Sequence, residues 1–496
     1  MKKSINALSV LLLATLILLT TASCGKKPEQ QTVQEQTGDL IIHPETDGEN
    51  SEQQTGQAQP HGLTFHPETD YDNRYSSLVE CDMLETEDAY YLHNCINNGF
   101  LYYYDKASGE TGVLCPRPEC LHDEIRENKE CVGFIGYEWA SLQYYQGKLW
   151  YFNVTKGMKF GLFRMNPDGS EKELVHEFDA AGTNLAYGNR RLYIHRGVIY
   201  HAGVNQEIEG AAAFHKLVYG CIPMSDMTLG GQKVKAWEYH QILERDTINQ
   251  PQPMMLFLGD YAYMFYCYDG LTEYDGDMPD NEAWWNKIPV TDEIARWDPT
   301  MTEPEILYQN VERYPMLRNY SCGFVTSDGT PYFKSSRFDP DLPAGDDNPT
   351  IVRLFRVEKD GTRTTVFESS KDDGNTHLLA LGDGVFVTAD SGLENMKNRN
   401  VPVNIRIYRY GNDGTEILWE GELPLNFRKE LPIGNKTMSF SGSWVTENTM
   451  MLMIEEYYGK KDLNSSWQFV KYDITPDGLV ETVVSEEFST QFWATD

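Results

Sequence analysis

Positive charge is scarce in this sequence: 42 Lys and Arg stand against 75 Asp and Glu, for a net charge of −33. Phosphate backbones and anionic lipids repel so acidic a chain, which excludes nucleic acid as a partner. The acidity reads as the solubilising charge of an exposed protein. Long apolar runs are missing too. The one candidate, Val10–Leu19, is too short to cross roughly 30 Å of hydrocarbon. Nor does any long segment carry helical period, which argues against a helical domain. The chain also lacks GxSxG, HExxH, GxGxxG and the GxxxxGK of phosphate-binding loops. Carboxylates abound, but their spacing in sequence cannot place two of them across a funnel. A hydrolase or lyase working with such a pair therefore stays open as a rival reading.

The N-terminus is informative. Lys2 and Lys3 precede the short apolar run, and Thr20-Thr21-Ala22-Ser23-Cys24 follows it. A positive start, a short apolar stretch and small residues describe a signal peptide over residues 1–23. The small residues before Cys24 resemble the lipobox of bacterial lipoproteins, although Thr21 stands where Leu is usual. The resemblance implies that Cys24 is acylated and becomes the mature terminus. The protein is then held at the extracytoplasmic face of the cell membrane. Losing two lysines on cleavage takes the net charge from −33 to −35. Residues 24–75 are rich in Gln, Glu, Thr, Gly and Pro and too poor in apolar residues to build a core. They read as an acidic, disordered tether.

From residue 76 the texture changes to short aromatic and β-branched strands divided by Gly, Asn and Asp. One hairpin recurs, ending at Cys115, Val175, Trp237, Tyr308, Phe367, Trp419 and Val484. Its turn is often Asp-Gly, because Gly enters φ > 0 freely and Asp bonds to the turn backbone. A second pair of strands precedes most copies, as in Ser141–Thr155, Met255–Asp269 and Leu378–Ala389. Four strands per unit and no helix predict an all-β protein over 76–496: a seven-bladed β-propeller of four-stranded blades. The third and fourth copies are degenerate, so six or eight blades also fit. Phe492 and Trp493, or the segment near Phe65, offer apolar material to seal the ring. A monomer is expected.

These hairpins resemble those of TolB-like propellers, particularly clostridial-type lipoproteins that combine a lipobox, a tether and Tyr-rich blades. The stretch Leu101–Asp123 with its cysteines also resembles a recurring segment of those lipoproteins. The resemblance covers nearly the whole mature chain. It implies the architecture but no catalytic residue.

In a propeller, strands a to d run outward from the axis. The b–c and d–a connections emerge on one face, and the a–b and c–d turns on the other. The long insertions read here fall on the first face: Asn205–Phe214, Tyr268–Glu293, Ser335–Thr350, Asp390–Asn404, Gly459–Ser466 and the link Pro116–Glu138. Such clustering marks a binding surface. Tyr268, Tyr274, Asp275, Asp277, Trp284, Trp285 and Arg337 are the ligand-binding candidates. Flat aromatic faces stack while carboxylates and Arg fix orientation, a set suited to a glycan, a peptide or a partner protein.

Cys115, Cys120, His122 and Cys131 make a C-x4-C-x-H-x8-C pattern inside one link. Three thiols and an imidazole suit a structural zinc ion. An oxidising exterior would equally suit disulfides, with Cys95 as a further partner. Either reading staples the link.

Overall fold

The computed structural model describes residues 70–490 apart from 76–81, 94–98, 123–130, 137–140, 156–158, 179–190, 210–211, 248–252, 272–288, 313–316, 318–322, 339–349, 370–376, 390–402, 412–413, 428–436, 459–463 and 486–487. Seven four-stranded antiparallel meanders follow one another along the chain. They span Asp82–Val113, Gln143–Phe178, Arg191–Thr247, Met254–Glu312, Gly323–Glu368, His377–Glu422 and Thr437–Val483. First strands of successive sheets approach each other, which makes them the strands around the axis. The protein is a seven-bladed β-propeller.

Local chemistry explains the repeat. In blades 2 to 6 the c–d pairing slips by one residue at an equivalent place, for instance at Leu162/Phe163, Leu354/Phe355 and Ile407/Tyr408. Such a bulge bends the outer edge and increases its twist, as a blade requires. Just past it Arg164, Arg296 and Arg409 reach across to Glu173, Glu305 and Glu416 on strand d. These pairs are partly exposed and contribute register more than stability. In the c–d turns Asp168 accepts from the amide and hydroxyl of Ser170, and Asp360 does the same for Thr362. Gly169 and Gly361 take φ of 80° there, which a Cβ would oppose.

Two expectations need correction. By its sequence the third hairpin ends at Trp237, but in the structure its second arm is no blade strand. Met227–Leu229 and Gln232–Val234 form a separate two-stranded hairpin, and strand d of blade 3 is His240–Thr247. Likewise Asn205–Phe214 is no loop. Strands b and c of blade 3 run on as Val198–Glu209 and Ala212–Pro223, paired throughout, so a twelve-residue ribbon stands on the long-connection face.

Among the described residues the ring closes without strand exchange, since the first and last blades each take all of strands a to d from their own stretch of chain. An apolar seam joins them instead. It includes Met83, Tyr90, Phe100 and Tyr102 from blade 1 and Trp444, Met453, Trp467 and Phe469 from blade 7. Phe488 lies on a short added strand, Phe488–Thr490, paired to Ser465–Trp467, and meets Tyr102 at 4.9 Å. Phe65, Phe492 and Trp493, considered above for this role, lie outside the described residues.

Candidate functional site

The first described residues do not behave as tether. Asp70 bridges to Tyr145, the Tyr71 amide donates to the Tyr144 carbonyl (2.9 Å), and Asn73 Nδ2 donates to the Ile194 carbonyl (3.0 Å). Arg74 pairs with Asp72 (2.6 Å) and Asp383 (3.1 Å) and reaches the Val325 carbonyl. The Tyr75 ring packs on Phe324 at 5.1 Å. Those partners sit at the a–b ends of blades 2, 3, 5 and 6. Residues 70–75, expected above as the last part of the tether, therefore form a strap across the a–b mouth of the ring. Beneath the strap lies a cavity of about 240 Å³ whose lining includes Arg74, Tyr145, His195, Arg196 and Phe257. The polar groups around it are engaged: Arg196 pairs with Asp260, and His195 Nε2 meets the Gly259 carbonyl.

The opposite face carries the long connections. At its blade 4 edge lies Glu293, 1 % exposed, near the start of strand c. It accepts from Tyr266 Oη, from Tyr268 Oη (3.3 Å), from Arg245 Nη2 (3.1 Å) and from Gln309 Nε2 (2.9 Å). Arg245 also lies over the Tyr268 ring at 5.4 Å. Burial and then the nearby Glu293 push the Tyr266 phenol well above its usual range. Burial works against the Arg245 charge, but Tyr266, Glu293 and Tyr268 outweigh it and hold the guanidinium protonated. With four donors on its two oxygens, Glu293 has nothing left for a substrate. Beside it Asp269 accepts from Thr247 Oγ1 and the Leu271 amide, and the Gly270 amide donates to the Asp246 carbonyl. Together these bonds fix the root of the fourth-blade insertion.

Of the ligand-binding candidates, Tyr268 thus spends its hydroxyl on the root rather than presenting it. Tyr274, Asp275, Asp277, Trp284 and Trp285 lie outside the described residues. Arg337 sits on strand b of blade 5, opposite Ile351. Among the described residues, Leu121, Leu271 and Val311 are large apolar side chains exposed on this face. Sequence reasoning missed Asn73, Arg74, Arg245, Glu293 and Gln309. The signal available for the strap was the pair of tyrosines flanking Asp72-Asn73-Arg74; Glu293 gave none, because its partners come from other strands.

The cysteine link folds back on blade 1 at the same face. Leu101 N donates to the Gly133 carbonyl and Ile135 N to that of Gly99, both at 2.8 Å. Gly133 permits this approach, since a Cβ there would stand 2.7 Å from Val113 Cγ1. The structure brings together Cys115, Cys120, His122 and Cys131, with ligand atoms all within 4.8 Å of one another. Cys95 lies outside the described residues. Burial tends to raise the Cys115 thiol. Hydrogen bonds with His122, the Arg117 backbone, Cys131 and Cys120 outweigh it and bring the thiol down to about 7. Burial first, then bonds with Cys115 and Cys120, push Cys131 up to about 12. Nearby, Lys172 donates to the Val132 and Phe134 carbonyls (3.2 and 2.7 Å) and holds the returning arm in place.

No protein-family model matches the chain, and no curated protein matches it. Among solved structures it is similar to a polysaccharide lyase, an ulvan lyase, at 7% identity and a TM-score of 0.39, over 70% of this chain and 82% of that one. It is similar also to TolB from Acinetobacter baumannii, at 12% identity and a TM-score of 0.25, over 82% and 79%. An exo-1,5-alpha-L-arabinanase from a bovine ruminal metagenomic library gives 15% identity and 0.23, over 57% and 94%. At these scores the fold rests on the seven sheets themselves.

Proposed function

We propose that this chain is a lipid-anchored surface propeller of the TolB-like lipoprotein kind. It binds an extracellular glycan, peptide or protein on its long-connection face and is not a hydrolase. The observation that carries this reading is the strap. Residues 70–75 cross the a–b mouth from blade 2 to blade 6. The long connections, the blade 3 ribbon and the exposed Leu121, Leu271 and Val311 lie on the other face. The strap thus occupies the a–b mouth and leaves the long-connection face for binding.

The hydrolase reading needs carboxylates that converge on the funnel. Among the described residues the seven inner strands carry two, Asp82 and Glu85, both on blade 1. Glu85 is paired with Lys106 at 2.7 Å. Of the two buried acids at the fourth insertion, Asp292 accepts from the Leu317 amide at 3.0 Å and Glu293 is saturated by donors. Binding is the chemistry these residues support.

Two arms test the proposal. Metabolic labelling with a fatty-acid analogue is expected to mark wild type and not Cys24→Ala, which should leave the membrane fraction; equal label on both refutes the anchor. For the face, a panel of soluble polysaccharides and peptides is screened against Leu271→Asp/Val311→Asp and, as control, Ile417→Asp/Val480→Asp. All four positions are exposed, and the control pair lies on outer strands away from the face. The first pair is expected to weaken binding roughly tenfold, about 1.4 kcal/mol, and the second to leave it unchanged. Equal loss in both, or none in the first, contradicts the assignment of the face.

A further inference from the structure

The seam that closes the ring has an unusual neighbour. Cys131 belongs to the same apolar cluster as Trp467, Phe469 and Phe488, and Cys115 and Cys120 pack against that cluster. We propose that Cys115, Cys120, His122 and Cys131 bind one structural zinc ion, which clasps the link between blades 1 and 2 against the seam between blades 1 and 7.

Three observations carry the assignment. The four donor atoms lie within 4.8 Å of one another. Around a tetrahedral zinc with Zn–S near 2.3 Å, sulfurs stand about 3.8 Å apart, so a contraction of about 1 Å completes the shell. Next, His122 takes a φ of 57°, a left-handed conformation uncommon outside glycine. Its ring stands edge-on to Phe100 at 5.9 Å, and its Nε2 is buried with no hydrogen-bond partner among the described residues. A buried polar atom left in that state is costly, and ligation removes the cost. Finally, none of Cys115, Cys120 and Cys131 forms a disulfide. A disulfide among them would use two, and would leave the third and the imidazole idle.

The donor set names the metal class. Thiolates with an imidazole select zinc, copper(I) or iron–sulfur chemistry, and four protein donors with no open position are the pattern of a structural zinc site. Chain geometry gives the ion its task. The outgoing arm holds Cys115, Cys120 and His122, and the returning arm starts at Cys131 and hydrogen-bonds back to blade 1 through Gly133 and Ile135. Tying the two arms together fixes Cys131 and Phe134 beside the residues that close the ring.

The test uses the full chain purified under anaerobic conditions. Elemental analysis is expected to find one zinc per chain, and His122→Ala and Cys120→Ser are expected to lose it. Cys267→Ser, on strand b of blade 4, should retain it. Removing the metal with a chelator should lower the thermal midpoint of wild type, and zinc should restore it. Cobalt(II) added in place of zinc should give thiolate charge-transfer absorption and the intense visible bands of a tetrahedral ion. If either ligand variant fails to fold, the chelation and cobalt arms on wild type still decide. Metal-free wild type overturns the proposal, whether its thiols react freely or only after reduction. Zinc retained by both ligand variants overturns it as well.

Discussion

Replacing Glu293 by Ala is expected to cost about 3 kcal/mol of stability, near the lower end of what breaking a buried ion pair costs. The carboxylate is 1 % exposed and receives Tyr266, Tyr268, Arg245 and Gln309. Removing it strands the buried Tyr266 hydroxyl and leaves Arg245 without its counter-charge. Arg245 keeps 30% of its side chain exposed, so water recovers part of the loss, and this holds the expectation below the upper range. Glu293→Gln keeps the shape and one acceptor. It should cost less, about 1–2 kcal/mol, because hydrogen bonds to a charged group are the stronger kind. Chemical denaturation of the three proteins measures this. A cost for Glu293→Ala below about 0.5 kcal/mol, the size of an ordinary surface change, would mean the network does not form.

The second large effect is expected at the seam. Among the described residues no strand is exchanged between blades 1 and 7, so the packing of the apolar seam carries much of the resistance to opening there. Trp467 is 3% exposed, lies 5.8 Å from Phe488 and belongs to one cluster with Met83, Tyr90 and Tyr102. Trp467→Ala should therefore cost about 3–5 kcal/mol, the range for emptying a buried aromatic site. Ile417→Ala, on an outer strand and half exposed, should change stability by about 0.5 kcal/mol or less. Equal effects of the two substitutions would show that the ring is closed by something other than this seam.

The blades were legible because their signals are local. Asp-Gly turns and alternating apolar residues mark each hairpin within some fifteen residues of sequence, and in most blades neighbours in sequence pair in space. Blade 3 misleads for the same reason. Gly230-Gly231 announces a hairpin and forms one, but only long-range pairing decides that His240–Thr247, rather than Gln232–Val234, completes the sheet. The ribbon at Asn205–Phe214 read as an insertion because its polar composition hides continuous backbone pairing. At the strap, polar residues do the docking. Asn73 and Arg74 find carbonyls and an aspartate over a hundred residues away, and no hydrophobic period announces such contacts. Of the sites, the Cys3His grouping was visible from spacing alone, whereas Glu293 draws its donors from three other strands and the spacing of sequence says nothing about them.

The proposal that ligands bind on the long-connection face starts from the strap docked across the opposite mouth. Hydrogen exchange at the amides of Tyr71 and Tyr75 measures it most directly, because these donate to the carbonyls of Tyr144 (2.9 Å) and Asp72 (3.1 Å). Both should be protected in wild type. Arg74→Ala removes the pairs with Asp72 and Asp383 and should abolish that protection while amides within the seven sheets keep theirs. Exchange of Tyr71 and Tyr75 at the rate of an unstructured chain in wild type would contradict the strap, and with it the assignment of the two faces.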